Sequence, residues 1–543
     1  MIEKIQLRLS PEESVSENEI LRIASRALGL KPEKVNDIKV TKRSVDARKR
    51  DVIVNMTVAV AYGEDQKAVP LPPHVEFKKV EDDAPQVVIV GAGPAGLFAA
   101  LRALEKGLRP IVLERGKDVD ARRIDIAQLN RTGNVDPESN YCFGEGGAGT
   151  FSDGKLHTRS KKRGDNDAVM ALLVQFGADE KILSDSHPHV GSDRLPHIIK
   201  AIREKIIELG GEVRFGSRVD ELIIESEIGQ EYEESTGRTL KIEKRRCVGV
   251  RLADGSEVRG DVVLATGHSA RDTIRRLHAQ GVGMEAKGFA MGVRLEHPAE
   301  LIDQIQYHSK EGRGQFLPAA EYNFVTQVDG RGVYSFCMCP GGVVVPAVSA
   351  PGEGVVNGMS ASGRSGRWSN SGMVVEIRPG DFPEYSEEGV FELLRAQEDI
   401  EKSFYRAADG TLKAPAQRMY DFVKGRESQS LPRSSYPPGL ISRRVDQLLP
   451  PVISHRLQEG FKDFGRKSKG FLTNEACVIG LESRTSSPVR LPRDKVTLCH
   501  VDLPGLYPAG EGAGYAGGII SAAVDGRRCV DSIWEKQKKL LNL

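Results

Sequence analysis

The sequence predicts an α/β protein: a doubly wound parallel sheet split by an inserted β-rich α+β region and preceded by a small α+β module. Three observations predict it. From Val87 to Leu264 strand-like and helix-like stretches alternate, as in a parallel sheet. A glycine turn, Gly91 to Gly96, stands between a β-branched strand and a helical run. From about Gly288 to His500 the pattern becomes rich in short strands and Pro-Gly turns, and the alternation resumes at Leu506.

Residues 1–80 read as the small module. Ile5, Leu7 and Leu9 alternate as a strand does, and Ser16 with Glu19 forms a capping box before a helix over Ile20 to Leu28. Val52 to Val60 is a period-two strand, and Ala68 to Pro73 reads as a linker. Residues 84–287 form the first part of the nucleotide domain. The strand Val87–Val90 leads to the helix Leu97–Lys106 and the strand Ile111–Leu113. An amphipathic helix follows over Ile198–Leu209, then a strand over Glu212–Phe215. Glu225 to Arg246 reads as a charged, exposed hairpin, Asp254-Gly255 as a turn and Val262–Leu264 as a buried strand. Residues 288–500 are the insertion, and residues 501–543 return to the nucleotide domain with a strand, a glycine turn and a last helix.

At 543 residues the chain is too long for a single ordinary core. Charged residues make up 28% and the formal net charge is +1, so no bulk attraction to nucleic acid or anionic membrane is expected. No apolar run is long enough to span a bilayer, and Met1 to Leu9 lacks the apolar centre of a secretory signal. Seven cysteines, an odd number without dense spacing, point to a reducing compartment, with the cytoplasm as default.

The GxGxxG pattern alone is weak, because 57 glycines produce about half a match by chance. Gly144 to Gly149 and Gly512 to Gly517 match it too. Only Gly91-Ala92-Gly93-Pro94-Ala95-Gly96 follows a strand and opens a helix, and Glu114 with Arg115 stands at the end of the next strand, about 18 residues on. This is the Rossmann-like fingerprint. Gly91 makes the tight turn, Gly93 admits a pyrophosphate, and Gly96 allows helix and strand to pack closely. The helix start offers N–H groups to phosphate, and Glu114 is placed to accept from ribose hydroxyls while repelling a 2′-phosphate.

Three further segments carry a family resemblance. Val262 to Gly267 (VVLATG) is similar to the ATG-type segment of two-nucleotide-binding-domain flavoproteins. Leu506 to Ile519 (LYPAGEGAGYAGGI) looks like their C-terminal flavin segment, with Glu511 where many members have Asp. Asn140 to Leu156 (NYCFGEGGAGTFSDGKL) resembles their glycine-rich loop. With GVRLEHP at 292–298, YSFCMCPGG at 334–342, NGMS at 357–360 and ESRTSSPVR at 482–490, nearly the whole chain resembles a bacterial family of FAD-dependent dehydrogenases and FAD-dependent proteins of undefined reaction. The resemblance implies FAD as cofactor. It implies contacts from Gly91, Gly93, Pro94, Ala95, Gly96, Glu114 and Arg115, and from Gly146, Gly147, Ala148 and Thr150. It further implies contacts from Ala265, Thr266 and Gly267, and from Gly510, Glu511, Gly517, Gly518 and Ile519. A helix start facing the flavin favours the negative charge of its reduced form. No second dinucleotide fingerprint is found, so NAD(P)H is expected to dock transiently or another donor to serve.

The reading that follows is an FAD-dependent oxidoreductase moving a hydride between flavin and a small organic substrate. A flavin-dependent RNA-modifying protein, using the basic cluster Lys42, Arg43 and Arg48 to Arg50, and a non-catalytic flavin redox sensor are the alternatives. Catalytic candidates are His268, next to the ATG segment, and Tyr515, as ring cover or proton donor. Arg484 and Arg490 are candidates for an anion clamp, against pairing with local acids. Cys337 and Cys339 are expected on one strand face, near in role to Cys142 if redox-active and otherwise simply buried. Lacking a partner CxxC or HxxxH, that CxC is not expected to bind zinc. His187, His189 and His500 are acid–base candidates by type alone.

Overall fold

The computed structural model describes residues 1–64, 67–69, 74–157, 164–233 and 238–540. Part of the expected linker, residues 70–73, lies outside them. No helix among the described residues is long and apolar enough to cross a membrane.

In the N-terminal module β1 (Ile2–Leu9), α1 (Glu17–Ala27), β2 (Val35–Asp46) and β3 (Ile53–Tyr62) form an antiparallel sheet in the order β1-β3-β2 under one helix. Val54, Met56, Val58 and Val60 of β3 face Ile20 and Ala24 of α1. Ser16 accepts from the Glu19 N–H at 3.3 Å. Only half the expected capping box forms, because the Glu19 carboxylate pairs with Arg22 instead. The sequence predicts no separate element at β2, because two bulges, at Val35/Asp37 and Val40/Lys42, break its period. β2 braces the rest of the molecule. The Arg43 N–H donates to the Ser184 carbonyl at 2.8 Å, Lys39 pairs with Glu180 at 2.6 Å, and His308 meets the Ala47 carbonyl at 3.0 Å. Arg48 in the basic cluster pairs with Asp46 at 2.6 Å.

The nucleotide domain runs β4 (Gln86–Val90), α2 (Pro94–Lys106), β5 (Arg109–Leu113), α3 (Val119–Thr132), α4 (Asn166–Gln175), α5 (Leu195–Glu208) and β6 (Glu212–Arg214). The charged hairpin of β7 (Val219–Glu233) and β8 (Arg238–Leu252), with β9 (Glu257–Arg259), forms a separate three-stranded sheet before β10 (Asp261–Leu264) and α6 (Arg271–Ala279).

The inserted cap follows, with β11 (Glu285–Ala286), β12 (Phe289–Pro298), α7 (Ala299–Tyr307), β13 (Val325–Val328), β14 (Arg331–Cys339), β15 (Val343–Pro346), β16 (Val356–Met359) and β17 (Trp368–Ile377). It continues through α8 (Glu392–Ala407), β18 (Ala414–Arg418), α9 (Met419–Lys424), β19 (Leu440–Ser442), α10 (Val445–Leu448), α11 (Pro451–Lys467), β20 (Cys477–Glu482) and β21 (Val489–Arg490). β22 (Leu506–Pro508) and α12 (Ile519–Leu540) complete the nucleotide domain.

Its sheet is five-stranded and parallel in the order β22-β10-β4-β5-β6, so the C-terminal segment returns beside β10. Val87, Val88, Ile89, Val262 and Val263 are fully buried, as strands covered on both faces must be. The cap is built on a seven-stranded sheet in the order β13-β14-β17-β12-β20-β18-β19, with its own aromatic core including Phe404, Phe422, Phe461 and Phe464. The two chain passages between domain and cap pair with each other as the short β11–β21 ladder.

Candidate functional site

One cavity lies where the C-terminal ends of β4, β5, β10 and β22 meet the cap. That is where open parallel sheets place their ligands. Gly91, Gly93, Pro94 and Ala95 line it at the fingerprint, and Glu114 and Arg115 at the end of β5. Gly147 and Ala148 come from the glycine-rich loop, and Ala265, Thr266 and Gly267 from the segment after β10. Gly510, Glu511, Gly518 and Ile519 come from the C-terminal segment. The two helix starts singled out in the sequence therefore open on one cleft.

Four expected contacts stand behind the wall instead. Gly96 packs α2 against the strand, and a Cβ there would strike the Gly91 carbonyl. Gly146 donates its N–H to the Ala92 carbonyl at 2.8 Å, joining the glycine-rich loop to the fingerprint. Thr150 is fully buried and donates to the Glu145 carbonyl at 2.8 Å. Gly517 sits in the turn before α12, where a Cβ would come 3.3 Å from the Glu511 carboxylate. Each shapes the cavity without lining it.

The residues present fit FAD. Gly91 has φ +103°, and a Cβ there would lie 2.5 Å from the Ala265 carbonyl oxygen, so only glycine keeps the turn. No side chain caps α2: Gly93 is its N-cap and Pro94 its first residue, which leaves the helix start open to an anion. The Glu511 carboxylate faces the cavity with no hydrogen bond or ion pair among the described residues, and burial pushes its carboxyl up while His268 and Lys287 pull it down. Ser269 is buried on the same wall with an unpartnered hydroxyl. Both are polar groups whose partners a ribityl-like polyol would supply.

Glu114 differs from the expectation. Its carboxylate accepts from the N–H groups of Ala92 (2.8 Å), Gly116 (2.9 Å) and Gly144 (3.0 Å), tying three loops together. A carboxylate offers about four acceptor sites, so one is left for a ribose hydroxyl. Arg115 is held by Glu138 and Asp272 at 2.8 and 2.9 Å, its guanidinium 4.2 Å from the Phe143 ring centroid.

Of the catalytic candidates, only His268 keeps an open role. It lines the cavity, and its Nε2 donates to the Arg484 carbonyl at 2.8 Å, so Nδ1 is the acceptor of the neutral ring. Arg484 and Arg490 follow the alternative weighed against the anion clamp, pairing with acids. Arg484 is buried and lines the cavity, with its guanidinium committed to Glu353 (2.6 Å), Glu401 (3.0 Å) and the Ser349 hydroxyl (2.7 Å). Arg490 is half-exposed on β21, outside the wall and 5.8 Å from the Tyr515 ring. Tyr515 also lies outside it. Its hydroxyl donates to the Leu491 carbonyl at 2.9 Å and accepts from the Arg493 N–H at 3.0 Å, so it buttresses the segment. His187 pairs with Glu321 at 2.9 Å, His189 meets the Ser362 carbonyl and His500 the Gly283 carbonyl, each at 3.0 Å. None of the three lines the cavity.

Sequence reasoning passed over the buried cations that build the walls. Arg122, fully buried, donates to the carbonyls of Asn140 (2.8 Å), Tyr141 (3.0 Å) and Glu145 (2.8 Å) and so folds the glycine-rich loop; burial lowers its pKa to about 10. Lys155 lines the cavity, pairs with Asp153 at 3.0 Å and donates to the Met338 carbonyl. Asp153 is in turn held by Arg364 and by the Ser360 hydroxyl. Arg294, fully buried on β12, donates to the Cys337 carbonyl (3.0 Å) and to Asn357 Oδ1 (2.6 Å), and lies 3.3 Å from Glu482. A helical or strand period does not reveal such contacts. The available signal was that Lys155 and Arg294 fall inside stretches that carry the family resemblance.

The expected shared face for Cys337 and Cys339 is also corrected. β14 bulges between Phe336 and Cys339, and Cys337 takes left-handed backbone with φ 46°. Cys337 lines the cavity beside Phe336 and Asn357, while Cys339 is fully buried. Among the described residues no group of three or more His, Cys, Asp or Glu side chains is placed to hold a metal ion.

Comparison with known proteins agrees with the cavity. Residues 288–485 match the family described as FAD-dependent protein, C-terminal domain-like; residues 86–128 match an FAD binding domain, and residues 1–61 a domain of unknown function. An uncharacterized protein of Clostridium beijerinckii is 39% identical over 553 aligned positions, covering 98% of this chain and 98% of the relative. Among solved structures, tetracycline destructase Tet(51) aligns at 11% identity over 84% of this chain and 82% of its own, with a TM-score of 0.31. CtdE in complex with FAD aligns at 13% identity over 83% and 84%, with a TM-score of 0.28. The GidA-related protein of Thermus thermophilus aligns at 13% identity over 83% and 99%, with a TM-score of 0.27.

Proposed function

Since the chain belongs to the family of FAD-dependent proteins and FAD is its cofactor, we propose that it is an oxidoreductase exchanging a hydride between the flavin and a small organic substrate held against the cap. One observation carries this reading: the cavity continues past the cofactor segments onto Phe336, Cys337 and Asn357 of the cap. A site for binding FAD alone needs no such extension.

Bound FAD supplies the two-electron chemistry at its ring. The Gly91–Gly96 turn and the open start of α2 would hold its diphosphate, and Glu511 and Ser269 would accept from and donate to its polyol. Phe336 offers the substrate an apolar wall. The Asn357 amide, its oxygen already bound to Arg294 and to the Gly358 N–H, presents Nδ2 as a donor. His268, its Nε2–H fixed on the Arg484 carbonyl, presents Nδ1 to receive a proton. Enclosure by the cap excludes bulk water and strengthens these polar contacts.

The test is anaerobic mixing of FAD-loaded protein with NADH, then NADPH, while following flavin bleaching, and then screening acceptors for reoxidation. Bleaching followed by acceptor-dependent recovery over many turnovers is the expected result. Protein that remains colourless and takes up no FAD overturns the reading.

A further inference from the structure

Two cysteines at the cap end of the cavity remain unused by this reading. In a regular strand, residues two apart lie about 6.6 Å from Cα to Cα, near the upper limit of about 6.8 Å for a disulfide. β14 departs from that geometry just here. Arg294 holds the Cys337 carbonyl at 3.0 Å and Lys155 holds the Met338 carbonyl, so two cations grip successive carbonyls and turn Cys337 left-handed. The turn brings the Cys339 sulfur to 3.5 Å from the Cys337 carbonyl, to which its S–H donates. Cys337 lines the cavity, whereas Cys339 is fully buried behind it. That is the arrangement of an attacking and a resolving thiol.

We propose that Cys337 and Cys339 are a dithiol–disulfide couple that exchanges two electrons with the flavin, so that the substrate class of the site is a small thiol or disulfide. The inference rests on the FAD-dependent reading of the cavity. In the oxidising direction two S–H bonds break and one S–S bond forms. The oxidised flavin takes the two electrons and, counting solvent exchange, the two protons. An external disulfide re-forms the couple's oxidised state by attack of the Cys337 thiolate, release of one thiol, and attack of Cys339 on the mixed disulfide with release of the second. The surroundings suit that chemistry. The neighbouring Cys339 thiol and the cations of Lys155 and Arg294 hold the Cys337 thiol below its ordinary range, against burial and the nearby Asp153 carboxylate; Cys339 is correspondingly raised. A lowered attacking thiol and a protonated partner favour exchange at neutral pH.

Anaerobic dithionite titration of the full-length, FAD-loaded protein counts the electrons. Wild type is expected to take about four electron equivalents per flavin, and Cys337→Ser and Cys339→Ser about two; Cys499→Ser, whose sulfur lies outside the cavity, should stay at about four. Wild-type protein that takes only about two while carrying a full complement of FAD overturns the couple and leaves the flavin reading standing. Loss of FAD binding by wild type defeats both. Should a serine variant fail to fold, alkylation and peptide mass analysis of wild type decide. The couple requires both cysteines to alkylate after reduction, and neither in air-oxidised protein, with a peptide two hydrogens lighter. Both alkylating in each state refutes it.

Discussion

Replacing Glu401 with glutamine should loosen the cap from the nucleotide domain. Glu401 is fully buried on α8 and accepts from Arg271 of α6 at 2.7 and 2.8 Å, from Arg484 at 3.0 and 3.3 Å, and from the Ser483 hydroxyl at 2.5 Å. Among the described residues Glu353 supplies the one other negative charge of the cluster, 2.6 Å from Arg484 and 3.6 Å from Arg271. Glutamine keeps the shape but leaves two buried guanidinium groups with one counter-charge, and turns an NH₂ toward their N–H donors. Breaking a buried pair in this way costs about 3–5 kcal/mol. At about 2–4 °C per kcal/mol for a unit the size of the cap, the midpoint should fall by about 6–20 °C. Differential scanning calorimetry at saturating FAD measures it. Glu398→Gln, which breaks a half-exposed pair with Arg275, serves as control and should cost about 0–1 kcal/mol. The sign with pH is also fixed. Burial pushes the Glu401 carboxyl up, but Arg271 and Arg484 outweigh it and hold the carboxyl below its ordinary range. Its contribution is therefore complete above the unfolded value of about 4.3 and is lost only as pH falls below that. A Glu401→Gln midpoint equal to that of the control at pH 7 refutes the reasoning.

Gly91→Ala should abolish FAD retention on gel filtration, since its Cβ has 2.5 Å to the Ala265 carbonyl oxygen; Gly255→Ala, with nothing within 4 Å, should keep the cofactor. Glu511→Ala should weaken FAD binding by about 1–3 kcal/mol, about 5- to 150-fold in Kd, as read by flavin fluorescence quenching. Tyr515→Phe should leave the flavin spectrum unchanged and lower stability by about 1 kcal/mol, the loss of its hydroxyl bonds to Leu491 and Arg493; a changed flavin spectrum would restore a place for it at the ring.

What the sequence disclosed is what it encodes locally. The strand, turn and helix of Gly91 to Gly96 are contiguous, and every constraint on them, a tight turn, close packing and an open helix start, falls within about 30 residues. The C-terminal segment with Glu511 was readable only through the family resemblance that its contiguous motif carries. The partners of Arg484 could not be named from the sequence because its neighbours there are small and polar, while Glu353 and Glu401 are 131 and 83 residues away. Arg122, Arg294 and Lys155 were invisible as architects because they act on backbone carbonyls, which every residue offers equally. The face of Cys337 failed for a related reason. Alternation assumes an unbroken ladder, and the cations that bend β14 come from β12 and from the cofactor loop.

These buried charges also bear on how the cavity works. The covalent connection between cap and nucleotide domain is the two-residue β11–β21 ladder, a ribbon about which a cap could swing. The cap is held by more than that ribbon. Arg271 of α6 grips Glu401 of α8, and Asp153 of the cofactor loop is gripped by Arg364 of the cap, both pairs buried. Swinging the cap open separates both of these pairs and returns their charges to water. On the proposed reading, a substrate would be selected by the size and polarity of what can reach Phe336, Asn357 and Lys155 on the cavity wall.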